Sequence, residues 1–235
     1  ITIKKDSSPL TKADLAANRL INHNLSSIDK DIPILSEESL VEWNKRKTWT
    51  KYWLVDPLDG TKEFIKKNGE FTVNIALIEN NKPVIGIIYL PAKSLLYYAK
   101  QNNGSFRINT IDRLESLHQA QNIKVNKNPE GDKVRIIGSR SHSNGKTKEW
   151  ILNNFNSYTK VISGSSLKFC KIAEGKADIY PRFGPTSEWD IAAGHIILKE
   201  AGGKLLTLDN KEILYNTKDN LINPEFIASN NLVKI

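Results

Sequence analysis

Apolar positions along this chain recur with two different periods, and the switches between them outline its elements. From Thr11 to about Ser26 the residues Ala13, Ala16, Ala17, Leu20 and Ile21 repeat at helical spacing, after Pro9 and a Thr11-x-x-Asp14 pattern resembling a capping box. That stretch predicts an amphipathic helix. Ile32 to Leu35 reads as a short strand, and Ser36-Glu37-Glu38-Ser39 as the opening of a helix reaching Trp43. Tyr52 to Val55 is a second buried strand. Pro57 cannot continue a central strand and Gly60 permits a sharp turn, so the strand is predicted to end on Asp56 and a helix to follow from Lys62 to Lys66. Phe71 to Glu79 and Lys82 to Tyr89, joined at Asn80-Asn81, form a hairpin signal, with Ser94 to Lys100 pairing next. From Asn102 to Lys133 the sequence is polar and irregular, which predicts inserted loops.

The second half alternates strands and helices. Val134 to Gly138 is a strand, Lys146 to Asn153 a helix, Leu167 to Glu174 a helix entered through Gly164-Ser165-Ser166, and Ala177 to Tyr180 a strand. Trp189-Asp190 begins a helix that runs to about Ala201 and is closed by Gly202-Gly203, and Lys204 to Leu208 is a strand before a polar tail.

Composition narrows the class. With 235 residues, 39% of them apolar and 26% charged, the chain can bury a sizeable core, and no linker divides it. No apolar run approaches the ~20 residues needed to span a bilayer, and no secretion signal is visible. A single cysteine, Cys170, excludes an intrachain disulfide and fits a reducing compartment, most simply as a buried thiol. The absence of methionine and the start at Ile1 predict an incomplete N-terminus. A formal charge of +8 favours an anionic partner. Nucleic acid is one candidate, although no basic run is interleaved with aromatics; a small phosphate-bearing molecule satisfies the same charge.

The candidate chemistry centres on Asp56 and Asp59. Two carboxylates this close on one turn would repel by about 4 kcal/mol at 4 Å, and a divalent metal is the remedy. Asp59 and Thr61 also stand where a helix begins, so its N–H groups could hold a phosphate; the plainer alternative is that Asp59 caps that helix. Plain alternatives attend the other polar residues too. Asp14 and Asp190 could be caps, Glu37 and Glu38 could complement a helix dipole, and His142 could contact a ligand or face solvent. Lys168, in a first helical turn, either awaits an external anion or points into solvent.

As an ordered set, Ser36-Glu-Glu-Ser39, Asp56-Pro-Leu-Asp-Gly-Thr61 and Trp189-Asp190 with Ala192-Ala-Gly194 and Gly202-Gly203 resemble the lithium-sensitive, magnesium-dependent phosphatases of the inositol monophosphatase superfamily. Trp53 to Ile65, Gly69-Glu-Phe-Thr-Val-Asn-Ile-Ala76, Ser139-Arg-Ser-His142, Gly164-Ser-Ser-Leu-Lys-Phe-Cys170 and Tyr180-Pro-Arg-Phe-Gly-Pro-Thr186 look like its bacterial 3'(2'),5'-bisphosphate nucleotidases.

The resemblance covers nearly the whole chain. It implies an α+β fold, a layered αβαβα sandwich forming one catalytic domain over residues 1–235, with a metal-binding half (roughly 1–130) and a substrate half (131–235). It implies hydrolysis of the 3'-phosphate of 3'-phosphoadenosine 5'-phosphate to AMP and phosphate, in the cytoplasm and in sulfur assimilation, with peripheral contact to the inner membrane face and oligomeric state left open.

Mg²⁺, in two or three ions, would be held by Glu37, Asp56, Asp59, Asp190 and the Leu58 carbonyl, and Thr61, oriented by Asp14, would accept or relay a proton. Gly60 and Thr61 would bind the transferred phosphoryl group. His142, Ser165, Lys168, Arg182 and Asp190 would surround the nucleotide. Glu38 stays a helix-start electrostatic residue. Two departures stand out: Ser36 replaces the glycine usual in inositol phosphatases, and the 102–133 stretch is long. The alternatives are a phosphatase for inositol phosphates or fructose 1,6-bisphosphate, or a non-catalytic nucleic-acid binder.

Overall fold

In the computed structural model, residues 2–3, 9–109, 118–127, 133–139 and 145–232 are described. Thr2–Ile3 (β1) pairs antiparallel with Pro9–Leu10 (β2), and the chain then enters Lys12–Ile28 (α1), whose first turn is closed by Thr11 and Asp14 as the capping pattern predicts. A seven-stranded sheet follows. Its strands, in spatial order, are Ile34–Ser36 (β3), Lys51–Asp59 (β4), Thr72–Glu79 (β5), Lys82–Leu90 (β6), Leu95–Lys100 (β7), Ser105–Asn109 (β8) and Gln121–Ile123 (β9). Only β3 and β4 run parallel among these neighbours; the rest is an antiparallel meander. Asn80 and Asn81 turn the β5–β6 hairpin with positive φ of 49° and 63°, the backbone that a two-residue hairpin turn requires. Short helices Trp43–Arg46 (α2) and Thr61–Ile65 (α3) flank β4.

The second sheet has the order β11-β10-β12-β14-β13, from Val134–Gly138 (β10), Tyr158–Ile162 (β11), Ile179–Arg182 (β12), Lys204–Thr207 (β13) and Phe226–Ser229 (β14). The helices Gly145–Asn154 (α4), Leu167–Ala173 (α5) and Glu188–Glu200 (α6) belong to this half. Three apolar clusters fix the layers. Leu25 of α1 packs on Trp53, Val55 and Leu77 on one face of the large sheet; α5 and α6 fill the main core between the sheets; Trp150, Ile151 and Phe155 cover Ile136, Ile179 and Ile227 on the far side. The sequence of layers is helix, sheet, helices, sheet, helix: the expected αβαβα sandwich. At the seam of α6 on β6 the approach is close: a Cβ on Gly86 would come within 2.4 Å of Ile196 and 2.6 Å of the Ala193 carbonyl.

Five expectations need correction. Residues 37–42 are not helical: Ser36 and Ser39 close a tight turn, the Glu37 N–H donates to Val55 O at 3.1 Å, and the helix is confined to α2. β4 does not stop at Asp56. It runs through Pro57 to Asp59, because β3 pairs no further than Val55 and a register shift between Asp56 and Asp59 leaves the missing proline N–H without a required acceptor. The 102–133 stretch contributes β8 and β9, whose buried positions Ser105, Ile108 and Ile123 are too sparse to show as an alternating run. The polar tail hides β14, which lies between β12 and β13, and buries Ile213 and Tyr215. Finally, the inward face of α1 is only partly the predicted apolar stripe: Ile21 packs with Leu25 on the sheet, but Leu20 is 65% exposed and the polar Asp14 and Asn18 are buried.

Candidate active site

Where the end of β4 meets the starts of α3, α5 and α6, the chain encloses a cavity of about 320 Å³. Glu37, Asp56, Asp59 and Asp190 line it together with Leu58, Gly60 and Thr61, and Ser165, Lys168 and Arg182 complete the lining. The extension of β4 through Pro57 is what carries Asp59 to the cavity, and Gly60, at φ 87°, turns the backbone into α3. Asp59 makes no capping bond to α3. Its Oδ2 instead accepts from the Ser166 N–H at 2.6 Å and lies 2.8 Å from the Ser166 hydroxyl, at the entry to α5. That hydroxyl is also 2.7 Å from the Asp190 carbonyl, with one proton to share between them, and it accepts from Asn74 Nδ2 at 2.7 Å. Ser166 thus ties β5, β4 and α6 together at the base of the cavity.

Two carboxylates that sequence left between cap and function serve in both geometries. Asp14 accepts from the Thr11 N–H at 2.8 Å, closing α1, and its other oxygen accepts from the Thr61 hydroxyl at 3.2 Å. Asp190 accepts from the Ser187 N–H at 2.8 Å as the acid of a second capping box, Ser187 rather than Asp190 being the N-cap, while still lining the cavity.

The electrostatics are those of crowded acids. Asp56 is fully buried; burial pushes its pKa well above the usual carboxylate range, the charges of Glu37, Asp59 and Asp190 push it further, and the Leu58 N–H, 3.0 Å from Oδ1, only partly opposes them. Asp190 is pushed up to about 8, by burial first, then by Asp59, with the Ser187 N–H acting in the opposite sense. Among the described residues no three acids meet as a compact, preformed metal cage. Proximity through repulsion is the more informative observation here, because Asp59 and Asp190 each give one oxygen to a protein donor while Oδ1 of each accepts no hydrogen bond from the described residues.

Lys168, which also lines the cavity, is buried rather than solvent-facing. Its Nζ donates to the Ser165 carbonyl at 2.6 Å and lies 5.2 Å from the centre of the Tyr180 ring. Burial lowers its pKa to about 8 against the pull of Asp59. Arg182 donates to the Pro185 carbonyl at 2.9 Å, and its buried Nε has no partner among the described residues. Ser165, at φ 43°, donates to the Glu70 carbonyl at 3.0 Å. His142 lies outside the described residues. Cys170 is buried, and burial raises its thiol pKa, consistent with a structural thiol. A second cavity of about 160 Å³ adjoins the first and shares Ser139, Tyr180 and Arg182 with it.

Sequence reasoning missed Ser166, Asn74, Glu70 and Asn18. The available signal was polarity out of place: Thr72 and Asn74 occupy buried positions of β5 where an apolar side chain is the rule.

Comparison with known proteins places the geometry in context. A family model described as the inositol monophosphatase family matches residues 2–234. The protein named 3'(2'),5'-bisphosphate nucleotidase CysQ of Salmonella typhimurium is 44% identical over 223 residues, covering 95% of this chain and 86% of its own. Its namesake in Buchnera aphidicola is 44% identical over 231 residues, covering 97% and 83%. Among solved structures, CysQ from Bacteroides thetaiotaomicron, described as a bacterial member of the inositol monophosphatase family, aligns with a TM-score of 0.85 at 41% identity over 96% of this chain and 86% of that one. An inositol monophosphatase (IMPase) of Thermotoga maritima aligns with a TM-score of 0.77 at 27% identity, over 98% and 82%.

Proposed function

This chain belongs to the inositol monophosphatase family, and we propose that it is a magnesium-dependent 3'(2'),5'-bisphosphate nucleotidase that converts 3'-phosphoadenosine 5'-phosphate to AMP and inorganic phosphate. Its five-layered α+β sandwich is the fold of that family. The observation that carries the metal-dependent reading is Asp56: a fully buried carboxylate raised by three other carboxylates is a poor arrangement without a cation and a suitable one with it. The donor set fits Mg²⁺, a hard ion that takes oxygen ligands: Glu37, Asp56, Asp59 and Asp190, with the Leu58 carbonyl as a further donor. When bound, such ions neutralise the phosphoryl oxygens and make water a better nucleophile at neutral pH.

The protein's own groups then have definable tasks. With its proton directed to Asp14, the Thr61 hydroxyl presents a lone pair to a water in the cavity, orients it, and relays its proton toward Asp14. Asp14 holds that orientation because its other oxygen is fixed by Thr11. The backbone at Gly60 and Thr61 receives the transferred phosphoryl group. Lys168 and Arg182 neutralise the 5'-phosphate, with Ser165 beside the nucleoside, and the cavity adjoining at Arg182 offers room beyond the reacting phosphate. Charge-assisted hydrogen bonds worth about 1.5–3 kcal/mol each would favour a bisphosphate over a monophosphate. Sequence similarity to proteins named for this activity, 44% over nearly the full chain, supports the substrate choice.

The test is phosphate release from 3'-phosphoadenosine 5'-phosphate, adenosine 3'-monophosphate, inositol 1-phosphate and fructose 1,6-bisphosphate, each with and without Mg²⁺. The proposal expects the adenosine bisphosphate to give the highest kcat/KM, with Mg²⁺ only. A clear preference for the inositol or fructose ester would reassign the substrate. No release from any ester, together with steep salt-dependent retention on DNA, would support the nucleic-acid binder instead.

A further inference from the structure

Two of the three buried residues of α1 are polar, Asp14 and Asn18, one helical turn apart. Buried polar side chains destabilise a fold unless their hydrogen bonds are made, and a helix docked on a sheet would ordinarily present apolar residues there. Both polar atoms of the Asn18 amide are engaged. Its Nδ2 donates to Ser39 Oγ at 2.7 Å, and its Oδ1 accepts from Ser36 Oγ at 2.8 Å and from Asn22 Nδ2 at 3.2 Å. Ser36 and Ser39 are the two ends of the tight turn that carries Glu37 and Glu38, closed by the Ser39 N–H on the Ser36 carbonyl at 3.0 Å. One amide therefore grips both ends of the acidic turn, while Asp14, on the same face of the same helix, holds Thr61.

We propose that Asn18 is a positioning residue that fixes the Glu37 turn against the acidic cavity, so that α1 sets Glu37 and Thr61 relative to one another through a single rigid element. This inference rests on the reading of Glu37 as a metal ligand. Partners that orient a metal ligand typically contribute 10–100-fold to metal affinity, and they do so without touching substrate. The consequence is specific: loss of Asn18 weakens Mg²⁺ binding and leaves the substrate KM, measured at saturating Mg²⁺, where it was.

The experiment measures Mg²⁺ affinity of the purified protein without substrate, by calorimetry and by the Mg²⁺-induced rise in Tm, for wild type, Asn18→Leu, Ser39→Ala, the double variant and Glu37→Gln. Asn18→Leu is expected to raise the Mg²⁺ Kd about 10-fold or more, Ser39→Ala by less, and the double variant no more than Asn18→Leu alone, since the two residues act through one bond. A wild-type Kd in folded Asn18→Leu, with Glu37→Gln weakened, would overturn the positioning role alone. A wild-type Kd in Glu37→Gln would overturn the ligand assignment and this inference with it. Should Asn18→Leu fail to fold, Ser39→Ala decides on the same readout: a Kd equal to wild type overturns the role.

Discussion

Replacing Asp59 by asparagine separates the holding of metal from the holding of the fold. The side chain accepts from the Ser166 N–H at 2.6 Å, and an asparagine carbonyl oxygen in the place of Oδ2 can keep that bond. Neutralising the acceptor weakens it by about 1 kcal/mol. Against this, the Asp59 charge is one of the causes that raise both Asp56 and Asp190, and a like-charge pair 4–6 Å apart at an effective dielectric of 20 repels by about 3–4 kcal/mol before neighbouring protonation reduces it. The two effects oppose, so metal-free Asp59→Asn is expected to unfold within about 1–2 kcal/mol of wild type. Mg²⁺ should reveal the difference. At 100 times its Kd a ligand stabilises by about 2.7 kcal/mol, which for a chain of this size is about 5–11 °C in Tm. A variant binding about 100-fold more weakly would gain only ~0.4 kcal/mol, or about 1–2 °C. The assay is thermal unfolding with and without Mg²⁺, alongside phosphate release, which should fall by most of its value. A wild-type Mg²⁺ shift, full turnover, or a loss of 3 kcal/mol or more without metal would refute the reasoning.

Other consequences follow from separate parts of the structure. Lys168→Met should raise KM for the adenosine bisphosphate by about 10–100-fold and leave adenosine 3'-monophosphate nearly unchanged; equal losses on both would remove Lys168 from 5'-phosphate recognition. His195, buried with Nδ1 3.0 Å from the Tyr215 hydroxyl, has its pKa lowered to about 4 by burial and then by Lys199. Because the unfolded histidine takes its proton near 6.5, its contribution is fully present above that pH and is lost as pH falls toward 4, by up to ~3 kcal/mol. Denaturant unfolding of wild type and His195→Gln should show their stability difference shrinking by about that amount from pH 7 to pH 4, and a constant difference would contradict the assignment. Gly86→Ala, placing a methyl 2.4 Å from Ile196, should destabilise by about 1–3 kcal/mol in urea, and an unmoved midpoint would contradict so close an α6–β6 contact.

Local chemistry was legible where it is self-contained. Gly60 announces the turn into α3, Asn80-Asn81 the hairpin, and Thr11 and Asp14 the helix start, because each acts within a few residues of itself, whereas Pro57 pointed to a strand end that the pairing of β4 overrides. Long-range partnership was not legible. The helical period of α1 is plain, yet which face turns inward depends on Ser36, Ser39 and Thr61, 18 to 47 residues away, and Leu20 points outward as a result. β14 is four residues of buried strand inside a polar stretch, too short for any period to appear. Asp14 and Asp190 show why a cap and a site residue could not be told apart from spacing: Asp14 closes α1 and also holds Thr61, and Asp190 closes α6 and also lines the cavity. The acidic wall was foreseen as a set of residues, but its use of Ser166 as the link between Asp59 and Asp190 depends on a contact across 107 positions of sequence.

The most direct measurement is the anomalous difference map of a crystal soaked in Mn²⁺, which takes the oxygen ligands of Mg²⁺ and can be located by its scattering. Peaks in contact with the carboxylates of Glu37, Asp56, Asp59 and Asp190 and the Leu58 carbonyl are expected. A fully soaked, Mn²⁺-active crystal with its peaks elsewhere, or with none between those oxygens, would contradict the metal-centred reading.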